Sequence, residues 1–197
     1  MRLGVDLGGT KTEILALGQA GAERLRRRVP TPAGYDAILA CIAGLVAEAE
    51  ATLGPARGVG IGIPGSIGPV SGVVRNANTT ALNGRALEGD LEAALGRPVR
   101  IGNDADCFAL AEAADGAGRG AGSVFGVILG TGVGGGVVIG GRLHRGANRI
   151  AGEWGHTPLP LPRDDERPGP VCHCRRRGCV ETWLSGPGLA ADHARAT

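Results

Sequence analysis

Aromatic side chains are scarce in this chain of 197 residues, because one tyrosine, two tryptophans and two phenylalanines make up only 3% of it. A core must therefore be assembled from valine, isoleucine, leucine and alanine, and the 43% hydrophobic content is sufficient for one. No apolar run reaches the roughly 18 residues that a membrane-spanning helix requires. The sequence opens directly into a predicted strand, without the basic and then apolar pattern of a secretory leader. We therefore expect a cytoplasmic globular protein.

An excess of charge of one sign is also lacking, because the formal net charge is only +2. This balance gives no support for a nucleic-acid-binding surface. The one basic run, at 24–28, is interrupted by Leu25 and is typical of the solvated face of a strand. The five cysteines form an odd number, which disfavours a disulfide framework and favours a reducing compartment. We expect Cys41 and Cys107, which lie in apolar helical contexts, to be buried thiols.

Glycine is abundant, at 37 residues, but it occurs in discrete turns and not in a regular repeat. Hydrophobic periodicity predicts a meander of strands, followed by strands and helices in alternation, which is typical of the α/β class. The predicted strands are 2–7, 12–17, 23–29, 58–63, 99–102, 123–129 and 137–139, with a short ribbon at 70–74, and the predicted helices are 35–53, 87–95 and 104–114. A glycine-rich segment at 115–122 is the predicted hinge between domains at 1–116 and 117–197.

Three of the five cysteines cluster with a histidine towards the end of the sequence, as His156, Cys172, Cys174 and Cys179. Their number and softness are those of a closed tetrahedral zinc site. Two carboxylates, Glu153 and Glu181, flank these residues. A metal ion held there would fix both acidic side chains beside one cleft, an arrangement suited to a small polyhydroxylated ligand.

Two glycine-rich turns are candidate anion sites. The first, Gly8-Gly9-Thr10-Lys11, joins two predicted strands, and the second is predicted at 130–136. Glycine backbone N–H groups can approach a phosphate closely, and Thr10 and Lys11 add a hydroxyl group and a positive charge. Neither turn matches a Walker loop, because both lead into strands. One turn on each side of the predicted hinge is typical of phosphate clamps that face each other across a cleft.

A set of motifs from residue 3 to about residue 190 resembles the ROK family of bacterial sugar kinases and repressors. In order they are Asp-Leu-Gly-Gly-Thr-Lys, Gly-Ile-Pro-Gly-Ser, Asn-Ala-Asn, Leu-Asn-Gly, Asn-Asp-Ala, Leu-Gly-Thr-Gly-Val-Gly-Gly-Gly, Gly-Glu-Trp-Gly-His and Cys-x-Cys-x4-Cys-x-Glu. The segments Gly-Val-Val-Arg-Asn-Ala-Asn-Thr-Thr and Ala-Gly-Glu-Trp-Gly-His-x-Pro-Leu-Pro are most similar to the fructokinase branch, and the N-acetylglucosamine kinase branch is a near relative. The resemblance implies an actin-like, hexokinase-like fold, in which two α/β lobes close on a sugar and MgATP.

The resemblance also implies roles for individual residues. On sequence position alone, Asp104 is as well suited to capping a helix as to chemistry, and the family pattern points to it as the catalytic base. Asp6 corresponds to an acidic residue near Mg²⁺. The residues that correspond to sugar contacts are Asn78, Asn103, Glu153, His156 and Glu181. The phosphates of the nucleotide are expected at Gly8, Gly9, Thr10, Lys11, Gly130, Thr131, Gly132 and Gly134.

For the metal, the family's zinc ligands are matched by His156, Cys172, Cys174 and Cys179, and four protein ligands imply a structural zinc ion. His173 is a competing ligand at a variable position of the pattern. Arg175 departs from the pattern, because the family usually has glycine after the second cysteine. If that position requires a left-handed backbone, arginine costs roughly 1–2 kcal/mol there.

The first hypothesis is therefore an ATP-dependent hexose kinase acting on the 6-hydroxyl group of fructose, with N-acetylglucosamine kinase or glucokinase activity as alternatives. A second is a sugar-responsive repressor of the same family, disfavoured because no helix-turn-helix segment precedes the first glycine turn. A third is a fragment that binds sugar without catalysis, since the sequence ends within a helix predicted after Pro187. We expect an incomplete second lobe, a homodimer for the complete protein, and neither nucleic-acid nor membrane partners.

Overall fold

The computed structural model describes residues 1–196. Its mixed helix and strand content confirms the predicted α/β class, and it divides into two compact units, Met1–Asp104 and Ala105–Thr197. The predicted boundary at 116/117 lies further along the chain, so the helix at 104–114 groups almost entirely with the second unit. Within residues 1–196, no helix is both long enough and apolar enough to cross a lipid bilayer.

The first unit is built on a five-stranded mixed sheet. Its strands are β1 (Arg2–Leu7), β2 (Lys11–Leu17), β3 (Glu23–Pro30), β4 (Val59–Ile63) and β7 (Val99–Asn103), in the spatial order β3-β2-β1-β4-β7. Strands β1, β4 and β7 are parallel, whereas β2 and β3 extend the sheet in antiparallel pairing. A separate ribbon pairs β5 (Ser66–Ile67) with β6 (Val74–Arg75). The ribbon predicted at 70–74 is displaced, because residues 68–73 form the connection between these two strands.

Aliphatic side chains fill the core of this unit, as the scarcity of aromatic residues predicts. The helix α1 (Tyr35–Leu53) buries residues spaced three and four apart, namely Ile38, Ile42, Leu45, Val46 and Ala49. The shorter helix α2 (Leu87–Leu95) adds Leu87 and Leu91 to the same cluster. Inward positions of β1, β2 and β4 complete the core, which in the described part of the chain contains one aromatic residue, Tyr35.

The basic run lies on β3, at the edge of the sheet, where Arg26, Arg27 and Arg28 are half exposed and paired with glutamates. Arg26 Nη1 lies 2.6 Å from Glu13 Oε1, and Arg27 Nη1 lies 2.7 Å from Glu48 Oε1. Arg28 Nε also contacts Glu13. Such exposed pairs each contribute about 0–1 kcal/mol. The prediction of a solvated strand face is confirmed.

A more buried ion pair joins α1 to the segment before β7. Arg97 donates from Nη1 and Nη2 to the two carboxylate oxygens of Glu50 at 2.7 and 2.9 Å, and the backbone N–H of Ala56 donates to the same carboxylate at 2.7 Å. These bonds, that of Ala56 first, hold the pKa of Glu50 below its usual value. Because the folded-state pKa is lowered, the stabilisation is complete above the unfolded-state pKa of about 4.3 and is lost as the pH falls through the folded-state value.

We therefore expect Glu50→Gln to lower the free energy of unfolding by about 1–3 kcal/mol at pH 7, because charge-assisted hydrogen bonds are lost. The difference from the wild type should narrow below about pH 4, where Glu50 itself becomes protonated. Urea unfolding at several pH values measures both effects. Glu48→Gln, at the exposed end of the Arg27 pair, is the matched control and should cost less than about 1 kcal/mol. Equal losses for the two variants would contradict the assignment.

The second unit contains a three-stranded antiparallel sheet with the order β10-β9-β8. Its strands are β8 (Ser123–Leu129), β9 (Val133–Ile139) and β10 (Arg142–Leu143), and its helices are α3 (Asp104–Ala114), α4 (Glu181–Leu184) and α5 (Gly186–Ala196). Helix α3 packs very closely on this sheet. A Cβ atom at Gly136 would lie 2.6 Å from the Ala105 carbonyl oxygen and 2.7 Å from the Ala109 Cβ atom, so only glycine fits there.

The predicted glycine turn at 130–136 is wrong in its second half, because β9 begins at Val133 and includes Gly134, Gly135 and Gly136. Gly135 and Gly136 serve close packing and not chain reversal. A Cβ atom at Gly135 would lie 2.9 Å from the Gly126 carbonyl oxygen and 3.0 Å from the Trp154 ring. Runs of glycine predict turns, but tertiary contact at short range produces the same pattern.

The prediction that Cys41 and Cys107 are buried thiols is wrong for Cys107, which is exposed, whereas Cys41 is partly buried. Helix α3 buries only Ala105, Asp106 and Ala109. The sheet covers one face of this helix, so an apolar sequence context on the other face does not lead to burial.

Candidate active site and metal centre

The predicted catalytic residue lies at the carboxyl edge of the parallel strands. Asn103 ends β7 and Asp104, which is exposed, begins α3. Asn103 Nδ2 donates to the carbonyl oxygen of Gly65, which follows the neighbouring strand β4, at 3.0 Å. Gly65 has a φ of +93°, and a Cβ atom there would lie 2.6 Å from the Arg75 carbonyl oxygen. The backbone is therefore closely packed at this carboxyl edge, which is where ligands bind in open α/β sheets.

The first glycine turn lies at the same edge of the sheet, between β1 and β2. The backbone N–H of Gly8 donates to the carbonyl oxygen of Lys11 at 3.0 Å and closes the turn. Among residues 1–196, the backbone N–H groups of Gly9 and Thr10 make no hydrogen bond to another protein group. Two donors on an exposed turn, followed by the ammonium group of Lys11, can bind an anion.

Asp6 occupies the last outward-facing position of β1, one residue after Val5 of the core. Desolvation raises the pKa of its carboxyl group and repulsion by Glu13 adds to the effect, while the positive charges of Lys11 and Arg28 oppose it. A carboxylate whose charge is poorly compensated by protein groups suits the neighbourhood of a cation.

Asn78 is exposed on the loop between β6 and α2, and a second asparagine shapes this loop. Asn83 Oδ1 accepts the N–H of Ala77, and Asn83 Nδ2 donates to the Ala77 carbonyl oxygen, both at 2.9 Å. The motif Leu-Asn-Gly by itself gave no indication of this role for Asn83. The loop also approaches the first turn, because a Cβ atom at Gly9 would lie 3.4 Å from Thr79 Oγ1.

In the second unit, Glu181 is linked directly to the second glycine turn. Its Oε2 accepts the backbone N–H of Val133, the first residue of β9, at 3.0 Å. A Cβ atom at Gly132 would lie 2.8 Å from the same oxygen, so a larger residue there would displace the Glu181 carboxylate. The backbone N–H of Gly186 donates to Gly130 at 2.8 Å, and Thr131 is exposed at the tip of the turn. Sequence spacing gave no indication of this link.

Gly134 lies beyond this turn, within β9, and its carbonyl oxygen accepts the indole N–H of Trp154 at 2.8 Å. This bond anchors the single 3₁₀ turn Trp154–His156, which follows the exposed Glu153. A Cβ atom at Gly155 would lie 2.1 Å from the Val133 carbonyl oxygen, so Gly155 permits the turn to press against the start of β9. His156, Glu181 and the second glycine turn are thus brought together by short contacts.

The four predicted zinc ligands converge in the second unit. One ligand atom from each of His156, Cys172, Cys174 and Cys179 lies within 4.8 Å of all the others. Cys172 Sγ is 3.5 Å from His156 Nδ1, and Cys174 Sγ is 3.6 Å from Cys179 Sγ. Three thiols and one imidazole fit a tetrahedral zinc ion in number, softness and proximity.

The electrostatics of the cluster are consistent with metal binding. Burial lowers the pKa of His156, with His173 and Arg176 acting in the same direction and Glu181 opposing it, so the neutral ligand form is favoured. Burial raises the pKa of the Cys172 thiol to about 12. Burial also opposes ionisation of Cys174, but hydrogen bonds from Arg176 and the other thiols bring its pKa down to about 7. A bound cation favours the thiolate form of all three.

His173, the competing ligand, lies beside this cluster and not in it. Its Nδ1 atom is 2.9 Å from Glu181 Oε1 and 4.0 Å from Cys172 Sγ. It forms a second possible ligand group with His156 and Glu181. Arg175, two residues on, has a φ of +70°, so the position does require the left-handed backbone for which glycine is preferred.

Comparisons with known proteins extend over nearly the whole chain. The N-acetyl-D-glucosamine kinase of Yersinia enterocolitica is 44% identical over 195 residues, a match that covers 96% of this chain and 64% of that protein. The chain therefore spans less than two thirds of the length of this relative. The crystal structure of a ROK hexokinase from Thermus thermophilus matches with a TM-score of 0.83 and 36% identity, covering 98% of this chain and 63% of that one.

A ROK family glucokinase from Streptomyces griseus, solved in complex with glucose and AMPPNP, matches with a TM-score of 0.82 and 34% identity; it covers 100% of this chain and 62% of that one. The hexokinase-like, actin-like ATPase fold and the incomplete coverage of its second part are confirmed by these two structures. The ROK family also matches residues 2–196 in sequence, and the chain belongs to this family.

Proposed function

We propose that the complete protein is an ATP-dependent sugar kinase, which transfers the γ-phosphate to the 6-hydroxyl group of a hexose or an N-acetylhexosamine. The observation that carries this proposal is the position of Asp104 at the carboxyl edge of the parallel strands, next to Asn103 and in the unit that contains the first glycine turn. The names of the relatives, all sugar kinases, agree with it.

Asp104 has the chemistry that phosphoryl transfer to an alcohol requires. A sugar hydroxyl group is a poor nucleophile, and a carboxylate beside it accepts the proton as the oxygen attacks the γ-phosphorus in line. The bond from the γ-phosphorus to the bridging oxygen breaks, ADP leaves, and the proton remains on Asp104. The exposure of Asp104 leaves its carboxylate accessible to a sugar.

Two groups of side chains are proposed as sugar contacts. Asn78 and Asn103 belong to the first unit, and Glu153, His156 and Glu181 to the second. Amides and carboxylates can each pair with adjacent hydroxyl groups, so a sugar that lacks one hydroxyl leaves a polar group unpaired. Glu181 is already oriented by Val133 and His173, which reduces the entropy that ordering it would cost on binding.

For the nucleotide, the proposed phosphate contacts are the N–H groups of Gly9 and Thr10 with Lys11, and the second turn at Gly130, Thr131 and Gly132. Gly134 is proposed to contribute indirectly, by shaping the backbone at the start of β9, which follows the second turn. Mg²⁺ would neutralise charge on the β- and γ-phosphates, and Asp6 would hold it through water, which suits an ion that keeps its hydration.

Zinc is proposed as a structural ion bound by His156, Cys172, Cys174 and Cys179. Four protein ligands leave no position for a water molecule or a substrate, so zinc takes no part in the chemistry. Its role would be to hold His156 and the loop that leads to Glu181 in one arrangement. The proposal also includes a cytoplasmic location and a homodimer for the complete protein.

N-acetyl-D-glucosamine is the first candidate substrate, because the Yersinia enterocolitica relative bears the name of that activity at 44% identity. N-acetyl-D-glucosamine thus replaces fructose, the substrate that the sequence motifs favoured. Fructose is the second candidate, supported by the segment Gly72–Thr80 and the segment around Glu153, which are most similar to the fructokinase branch.

A panel of four sugars tests the substrate. ADP release is measured with N-acetylglucosamine, fructose, glucose and mannose, both for the 197-residue chain and for the chain extended with the part of the Yersinia enterocolitica kinase that it does not match. We expect the extended chain to prefer one sugar by at least about tenfold in kcat/KM, since one unpaired buried polar group costs about 1–3 kcal/mol. ADP release that no sugar stimulates would refute the proposed function.

A further inference from the structure

Three carbonyl oxygens of the first glycine turn accept hydrogen bonds from other protein groups. Lys11 accepts the N–H of Gly8, as described above. The carbonyl oxygen of Gly8 accepts the hydroxyl group of Thr31 at 2.8 Å, and the carbonyl oxygen of Thr10 accepts the backbone N–H of Thr31 at 3.1 Å. One residue outside the turn therefore holds two of its carbonyl groups.

The position of Thr31 is rigid for reasons of its own. It lies between Pro30, the last residue of β3, and Pro32, and a residue before proline is restricted to an extended conformation. Its hydroxyl oxygen is also 2.9 Å from the hydroxyl oxygen of Thr12, which is completely buried in β2. The segment Pro30-Thr31-Pro32 is thus fixed to the sheet on one side and to the turn on the other.

We infer that Thr31 is a positioning residue for the first glycine turn: it binds the carbonyl groups of Gly8 and Thr10 and thereby leaves the N–H group of Gly9, which belongs to the same peptide group as the Gly8 carbonyl, directed to a phosphate. The inference rests on the proposed function of this turn as a phosphate clamp. The C=O of Gly8 and the N–H of Gly9 lie on opposite sides of one trans peptide group, so holding this carbonyl oxygen on one side orients the Gly9 donor to the other. Preorganised donors bind an anion without a further ordering cost.

The test compares Thr31→Val with Thr12→Val in the 197-residue chain. Both variants lose the bond between the two hydroxyl groups, and both keep a β-branched side chain of similar size. Only Thr31→Val also loses the bond to Gly8. We expect Thr31→Val to raise the Kd of MgADP, measured by calorimetry, about tenfold, and Thr12→Val to change it less than about twofold. Thr31→Ser, which keeps the hydroxyl group, should restore the wild-type affinity.

A second measurement reports on the turn without any nucleotide. The Gly8 amide, hydrogen-bonded to Lys11, should exchange with solvent about tenfold faster in Thr31→Val than in Thr12→Val, as resolved by NMR. If the wild-type chain fails to bind MgADP, the proposed clamp is wrong, and this exchange rate alone decides the role of Thr31. Equal exchange in the two variants, or equal affinities where MgADP binds, would overturn the inference.

Discussion

Replacing Asp104 with asparagine is expected to lower kcat by about 10²–10⁴-fold, the usual contribution of a general base. Asparagine has the same shape and also favours helix amino termini, so the start of α3 should be preserved. It cannot accept the proton of the sugar hydroxyl group. The measurement is ADP release by the extended chain with the sugar that the panel selects, together with the Kd of that sugar from calorimetry, which should change less than about threefold.

The matched control is Asp115→Asn, which removes an exposed carboxylate just after the carboxyl end of α3. It should leave kcat and KM unchanged, because Asp115 is remote in sequence from the strand edge and belongs to no proposed contact. If Asp104→Asn retained more than about one tenth of the activity, or lost sugar binding to the same extent as turnover, the general-base role would be wrong.

Replacing Cys179 with serine is expected to abolish stoichiometric zinc binding and to destabilise the second unit. Structural zinc ions in small domains have apparent binding free energies of roughly 10–16 kcal/mol. Even about 3 kcal/mol of this would lower the melting temperature by roughly 6–12 °C in a chain of this size. Zinc content by mass spectrometry and thermal unfolding with and without a chelator measure the two effects. The chelator should lower the melting temperature of the wild type but not that of Cys179→Ser.

The two cysteines outside the cluster provide the controls for this experiment. Cys41→Ser and Cys107→Ser also remove one thiol each, yet they should retain one zinc ion per chain and the sensitivity to the chelator. Cobalt substitution adds a spectroscopic test, since a site with three thiolates and one imidazole gives tetrahedral absorption bands. A wild-type chain that binds no zinc from metal-replete medium, or a Cys179→Ser chain that binds one equivalent, would exclude the proposed site.

Local periodicity was a reliable guide to the first unit. The apolar spacing over 35–53 predicted α1 with the same bounds, and the alternation over 2–7 predicted β1, because each pattern must match the one face that is buried. The solvated arginines of β3 were predicted for the same reason. Sequence patterns failed where residues serve tertiary contact, as in Gly135 and Gly136 of β9, and at Cys107, whose burial depends on what covers α3.

The residues of the candidate site also fall into two groups: those that the sequence indicated and those whose contacts only the structure revealed. The family motifs pointed to Asp104, the two turns and the four candidate zinc ligands, and the left-handed backbone at Arg175 was anticipated from the missing glycine. The roles of Thr31, Asn83 and Val133 were not anticipated. Thr31 and Val133 are hydrogen-bonded to residues 23 and 48 positions away, and Asn83 binds both polar backbone groups of Ala77. Neither composition nor spacing contains information about such bonds.

The amino-acid sequence by itself determined the α/β class, most of the secondary structure of the first unit, the family and the chemical types of the site residues. These depend on local periodicity and on motif identity, which are properties of short segments. Only the tertiary structure decided that Thr31 binds the first turn, that Glu181 is anchored to the start of β9, and that one ligand atom from each of the four candidate zinc ligands lies within 4.8 Å of the others. Such distances are determined by the packing of whole elements, because steric fit and hydrogen-bond geometry between remote segments are satisfied only when the chain is folded.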